Sequence, residues 1–193
     1  MLCGVLALQG DWAAHVRVLA AMGVETAMVR TARDLGEVDA LVLPGGESTA
    51  MLRLMAGDTL GEQIGERVRA GMPVLATCAG VILLAAGTKP EQPSLGLLDV
   101  DVERNAYGRQ VHSRVATIEL TPEMGPPGTF DAVLIRAPKI TRTGPDVEIL
   151  GRLDHDPVLV RQHGIIAATF HPELTDDQRV HRLLLNEETR RGR

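Results

Sequence analysis

A doubly wound α/β fold, with a mostly parallel sheet and a strand-rich C-terminal part that includes an antiparallel hairpin, is the class this sequence predicts. Two observations carry it. Short aliphatic runs alternate with segments of helical spacing through the first half, and repeated strand-helix units imply parallel strands joined by right-handed crossovers. Hydrophobic residues make up 45% of the chain although it holds only two Phe, one Tyr and one Trp, and such aliphatic wealth suits strands buried on both faces. The 193 residues fit a single domain spanning 1–193, with no internal repeat or low-complexity linker. A domain of that size buries about 70% of the surface its unfolded chain exposes.

Leu2 to Leu8 reads as the first strand and ends in Gln9-Gly10. Asp11 then caps a helix that runs through Met22 and closes at Gly23. Its residues Trp12, Val16, Leu19 and Ala20 form the single stripe of a helix laid on a sheet. Thr26 to Val29 is the second strand. Ala40 to Leu43 is the third and leads into Pro44-Gly45-Gly46-Glu47-Ser48-Thr49. Helices are expected at Thr49 to Met55 and Leu60 to Ala70. Pro73 to Ala76 is the fourth strand, ending at Thr77-Cys78-Ala79-Gly80, and Val81 to Ala86 is helical. Further strands are expected at Val100 to Glu103, Val115 to Leu120, Ala132 to Ile135, Val158 to Val160 and Ile165 to Phe170. The last two pair as a hairpin about His163-Gly164, where glycine tolerates the positive φ of the turn. A final helix covers Asp176 to Asn186.

The net charge of −5 and the lack of a large basic block argue against a nucleic-acid or anionic-membrane surface. Arg190, Arg191 and Arg193 read as the solvated end of a helix, with a docking contact as the alternative. The first apolar run is broken by Gln9, Gly10 and Asp11 and follows no positive segment, so it does not read as a secretory signal. No apolar run approaches membrane-spanning length. Cys3 and Cys78 form no metal-ligand pattern, and free thiols in a reducing, cytoplasmic setting are expected.

Three segments carry chemistry. Cys78 lies where an apolar strand stops and a small-residue turn opens a helix, the position that lifts a nucleophile clear of a sheet. A helix N-terminus beside the sulfur favours thiolate. Read as packing alone, Cys78 is a buried small hydrophobe, which is also the reading of Cys3 near the start of its strand. A thiolate needs a base held in one tautomer by a third group. His171-Pro172-Glu173 supplies an imidazole and a carboxylate two positions apart, on one side of an extended chain that Pro172 stiffens. The alternative for His171 is a surface histidine ahead of the last helix. His15, His112, His155, His163 and His181 lack such neighbours and read as solvated or structural. In Pro44-Gly45-Gly46-Glu47-Ser48, consecutive glycines let backbone N–H groups approach a ligand as an oxyanion hole requires. A plain strand-to-helix turn with Ser48 as N-cap is the other reading.

Six strings, in order along nearly the whole chain, resemble the class I or triad glutamine amidotransferases, and more closely the glutaminase family of pyridoxal 5′-phosphate synthase. They are Leu8-Gln9-Gly10, Leu43-Pro44-Gly45-Gly46-Glu47-Ser48-Thr49, Thr77-Cys78-Ala79-Gly80, Arg104-Asn105-Ala106-Tyr107-Gly108-Arg109-Gln110, Ile135-Arg136-Ala137-Pro138 and Phe170-His171-Pro172-Glu173-Leu174. The Cys, His and Glu strings are common to triad amidotransferases. Gly-Gly-Glu-Ser-Thr, the Arg104 string and Ile-Arg-Ala-Pro point to the vitamin B6 branch. Two departures stand out: Ala76 where the family often has Gly, and His112-Ser113-Arg114-Val115 where it usually has an acidic residue followed by Ser-Phe-Glu. The first bears on the elbow, the second on the surface that meets the partner.

The resemblance implies a flavodoxin-like enzyme that hydrolyses L-glutamine through a catalytic triad of Cys78, His171 and Glu173 and a glutamyl thioester. It implies glutamine binding by Gly46, Glu47, Ser48, Arg104, Ile135 and Arg136, and oxyanion stabilisation by amides at Gly46 and Ala79. No metal or organic cofactor is implied. The implied partner is a pyridoxal 5′-phosphate synthase subunit, in a hetero-oligomer, that uses the released ammonia. The alternatives are the glutaminase of another biosynthetic pair and a catalytically silent flavodoxin-like regulatory subunit.

Overall fold

The computed structural model describes residues 1–104, 114–124 and 128–191. Its parallel half is β1 (Leu2–Leu6), α1 (Trp12–Ala21), β2 (Glu25–Val29), α2 (Ala32–Gly36), β3 (Ala40–Leu43), α3 (Ser48–Met55), α4 (Leu60–Arg69), β4 (Val74–Thr77) and α5 (Ala79–Leu84). There follow β5 (Ala85–Lys89), β6 (Leu98–Glu103), β7 (Arg114–Leu120), β8 (Gly128–Leu134), β9 (Lys139–Thr143), β10 (Glu148–Leu153), β11 (Asp156–Gln162), β12 (Ile165–Ala168) and α6 (Arg179–Arg191).

Among the described residues nine strands form one sheet in the order β2-β1-β3-β4-β12-β11-β10-β7-β8. The first five run parallel and have the flavodoxin-like order, in which ligands meet the carboxyl ends of the strands. The other four extend it antiparallel. Alternate residues of the central strands face opposite cores, as period-2 pleating demands. Leu41, Leu43, Val74, Ala76, Ile165 and Ala167 join one cluster, with α3 to α5 and the small sheet β5-β6-β9. Ala40, Val42, Leu75, Ile166 and Ala168 join the other, beneath α1 and α6. Ala76 is fully buried in the first cluster, so its methyl is absorbed by packing two residues ahead of the elbow.

Asp11 caps α1 as expected, its Oδ1 accepting from the Ala14 N–H at 3.2 Å. Several other expectations are corrected. The helix expected at Val81 to Ala86 ends at Leu84, and the chain continues as β5. The short helix α2 and strands β9 and β10 were not anticipated. The strand expected through Phe170 stops at Ala168, and the last helix begins at Arg179 rather than Asp176. In the β11-β12 hairpin, pairing Gln162 with Ile165, it is His163 that takes the positive φ, 52°. Asn105, Ala106, Tyr107, Gly108, Arg109, Gln110, His112 and Ser113 lie outside the described residues. Arg114 and Val115 open β7 and are exposed. No described helix is long and apolar enough to cross a membrane.

Candidate active site

Five parallel strands deliver their carboxyl ends to one edge of the sheet, and three of the segments that follow carry the chemistry. After β4, Cys78 turns the chain with φ 47° and ψ −102° and stands as N-cap of α5. A non-glycine residue in that region is held against about 1–3 kcal/mol of strain. What holds it is pairing and close packing. The Cys78 N–H donates to the Ala168 carbonyl of β12 at 2.8 Å, and a Cβ on Gly80 would collide with the Leu43 carbonyl of β3. The thiol is nearly buried and lies 3.8 Å from the Ile135 carbonyl oxygen.

Beyond β12, Phe170 is fully buried against Phe130, ring centroids 5.3 Å apart, and the His171 N–H donates to the Val133 carbonyl of β8 at 2.9 Å. These contacts fix where the imidazole stands. Glu173 does not reach it as residue i+2 of a strand: Pro172–Leu174 form a 3₁₀ turn with His171 at its N-cap. The turn still brings Glu173 Oε1 to 2.7 Å from His171 Nδ1. Nδ1–H therefore donates to the carboxylate, and Nε2 is the nitrogen left for the Cys78 thiol. Burial alone would lower the His171 pKa; the neighbouring Cys78 and the hydrogen-bonded Glu173, with their charges, outweigh it and raise the value to about 10. Cys3 is different in kind: burial pushes its thiol up to about 12, and it faces the core.

Cys78, Ala79 and His171 border a pocket of about 390 Å³ whose other walls include Gly46, Glu47, Ser48, Arg104, Ile135 and Arg136. Every residue expected to bind glutamine or the oxyanion thus lines one cavity, and Ile82 joins them. Glu173 stands behind His171. Gly45 permits the close approach of the β3 loop, since a Cβ there would collide with His171 Cε1 and lie 3.0 Å from its Nδ1. Ser48 is the first residue of α3 and not its cap; Glu47 is the N-cap, without a side-chain capping bond. The Ser48 hydroxyl instead meets the Gln92 carboxamide, with contacts of 3.2 and 3.3 Å. Arg104, at the end of β6, reaches Thr49 Oγ1 at 3.5 Å and Glu47 Oε1 at 3.9 Å. Arg136 has φ 46°, a second strained residue on the pocket wall.

Of the remaining described histidines, His155 and His163 are exposed, while His15 and His181 are fully buried behind Glu173. Nothing in their local sequence marked them for that place. Among the described residues no group of three or more His, Cys, Asp or Glu could hold a metal ion.

The sequence profile of the SNO glutamine amidotransferase family matches residues 5–190. The chain is 53% identical to a Thermotoga maritima protein called pyridoxal 5′-phosphate synthase subunit PdxT, over 96% of this chain and 98% of that one. It is 49% identical to the Solibacter usitatus protein of the same name, over 95% and 97%. A solved structure described as a glutamine amidotransferase superposes with a TM-score of 0.90 at 45% identity, covering 97% of this chain and 98% of that one. A profile match and relatives of this similarity, both spanning nearly all of the sequence, place the chain: it belongs to the SNO glutamine amidotransferase family.

Proposed function

We propose that this chain hydrolyses L-glutamine to L-glutamate and ammonia, and delivers the ammonia to a pyridoxal 5′-phosphate synthase subunit. The observation that carries the chemistry is the series of thiol, imidazole and carboxylate, Cys78 to His171 to Glu173, at one side of a pocket of amino-acid size. The names of the half-identical relatives support the pathway.

Cys78 gives its thiol proton to His171 Nε2 as Sγ attacks the side-chain amide carbon of glutamine, and the carbonyl electrons move to oxygen, where amides at Gly46 and Ala79 stabilise the developing charge. The C–N bond then breaks as His171 Nε2 gives its proton to the leaving nitrogen, releasing ammonia and leaving a glutamyl thioester. Water attacks the thioester carbon while His171 takes its proton; the C–S bond breaks, glutamate departs and the thiol is restored. Glu173 holds the imidazole in the tautomer both half-reactions use. Gly46, Glu47, Ser48, Arg104, Ile135 and Arg136 hold the substrate.

Glutamate release from glutamine, measured with the synthase subunit present, tests the reading. Cys78→Ala should lose at least about 10³-fold in kcat while folding and binding the partner normally, because the change removes little packing. Cys3→Ala should stay active. Robust hydrolysis by Cys78→Ala would overturn the assignment, and recovery of a different synthase in a pull-down would move the chain to another pathway.

A further inference from the structure

On the face of the sheet covered by α1 and α6 lies a polar chain that the reaction as drawn does not use. His15 of α1 and His181 of α6 are fully buried beside an apolar core, their ring centroids 5.2 Å apart. His15 Nδ1 lies 3.0 Å from His181 Nε2. His15 Nε2 lies 3.2 Å from Thr77 Oγ1 and 3.4 Å from Glu173 Oε2. Thr77 immediately precedes the elbow, and Glu173 is the residue whose other oxygen takes the His171 Nδ1–H.

The protons on this chain can be assigned. Burial lowers the His181 pKa to about 4, and burial followed by the charges of His181 and His171 holds His15 well below its usual value. Both rings are therefore neutral, with one N–H each. Were that proton on His15 Nδ1, it would donate to His181 Nε2. The His181 Nδ1–H would then be buried without an acceptor, and a His15 lone pair would face a carboxylate oxygen. In the reverse arrangement His181 Nε2–H donates to His15 Nδ1, and His15 Nε2–H donates to Thr77 Oγ1, with Glu173 Oε2 3.4 Å from the same nitrogen. The unpaired atom is then a lone pair, far less costly to bury than an N–H.

We propose that His15 is a positioning residue of the triad: its Nε2–H, aimed by His181 and seated on Thr77 Oγ1, sets its positive end beside the outer oxygen of Glu173 so that the inner one stays on His171 Nδ1. The proposal rests on the triad reading above. At 3.4 Å the contact is longer than a full hydrogen bond, and Oε2 has no well-directed donor among the described residues. Removing His15 leaves that buried oxygen without this N–H, so the carboxylate turns and His171 loses its orientation. The loss falls on kcat, because the substrate-binding wall is built from other segments.

The test is steady-state glutamine hydrolysis by the full chain with saturating synthase, together with the pH dependence of Cys78 alkylation by iodoacetamide. His15→Leu should lower kcat about tenfold, the lower end of what loss of an orienting partner costs in metal sites, with KM within about twofold. The alkylation profile should shift toward higher pH as the imidazole-thiol pair weakens. His15→Gln, which keeps an N–H near the Nε2 position, should recover most of the loss. A native kcat and alkylation profile in His15→Leu would overturn the proposal, and so would a His15→Gln as impaired as His15→Leu, since shape alone would then matter. If His15→Leu does not fold, His15→Met replaces it with the same outcomes. Failure of the triad reading is distinguishable: there Cys78→Ala would keep activity, whereas failure of this proposal leaves Cys78→Ala inactive and His15→Leu normal.

Discussion

Arg104 and Arg136 stand on the pocket wall in different ways. The Arg104 side chain is mostly buried and reaches the first turn of α3, while Arg136 is exposed and strained at φ 46°. A guanidinium facing a substrate carboxylate makes a charge-assisted bond, worth about 1.5–3 kcal/mol, which corresponds to about 10- to 100-fold in binding. Arg104→Ala should therefore raise KM for glutamine by that factor with little change in kcat, as expected of a bond equally strong in ground and transition states. Arg136→Ala should act in the same direction, directly or through the Ile135-Arg136 backbone beside the thiol. Unchanged glutamine kinetics in both variants would put the binding site elsewhere. The triad was legible in the sequence because each of its strings sits at the end of an apolar run. His15 and His181 were not, because nothing in a helix spacing signals that residues 15, 77, 173 and 181 meet; only the closed fold brings them together. Gln92 and Ile82 went unread for the same reason.

At the scale of elements, the parallel strands were readable because they are buried on both faces and nearly all aliphatic. Strand β9, Lys-Ile-Thr-Arg-Thr, buries only Ile140, and β10 contains Gly151 at an irregular register, so neither shows clean alternation. The apolar run before β5 masked the change from helix to strand. The loop from Gly45 to Glu47 matters most to function. Gly46 has φ 151°, and the Glu47 N–H donates to Gln9 Oε1 at 2.5 Å. An oxyanion hole works only if its N–H groups already point at the developing charge, and one lost donor costs about 10²-fold or more in kcat. The Gly46–Glu47 peptide directs its hydrogen to Gln9, so that donor does not reach an oxyanion beside the Gly46 and Ala79 amides. The expectation is that the isolated chain is a poor glutaminase, and that a synthase docked beside this loop reorients the peptide. Glutamate release should be measured for the chain alone and with saturating synthase; a similar kcat in the two conditions would mean the hole is preformed.

The whole molecule stores opposite proton linkages in the two layers that meet at its active edge. On the α1-α6 side, His181 has its pKa lowered by burial to about 4, beneath the 6.5 or so of an unfolded chain. Above that unfolded value both states are neutral and no linkage acts. As pH falls through it, the unfolded chain binds a proton that the folded chain refuses, and stability declines until about pH 4. For His181 alone the loss at pH 5 is about 2 kcal/mol, a large share of a typical 5–15 kcal/mol, and His15 adds in the same direction. His171 has the reverse sign, its folded pKa raised to about 10. Its contribution is fully present below pH 6.5 or so and is lost as pH climbs toward 10. The two limbs meet near neutrality, so urea midpoints should pass through a maximum there and fall on either side. His181→Leu should flatten the acid limb and leave the alkaline one, while His171→Ala should do the opposite. A stability that stays level from pH 7.5 down to 5 would show that His181 is already protonated in the fold, and would remove the neutral-ring premise on which the His15 proton assignment stands.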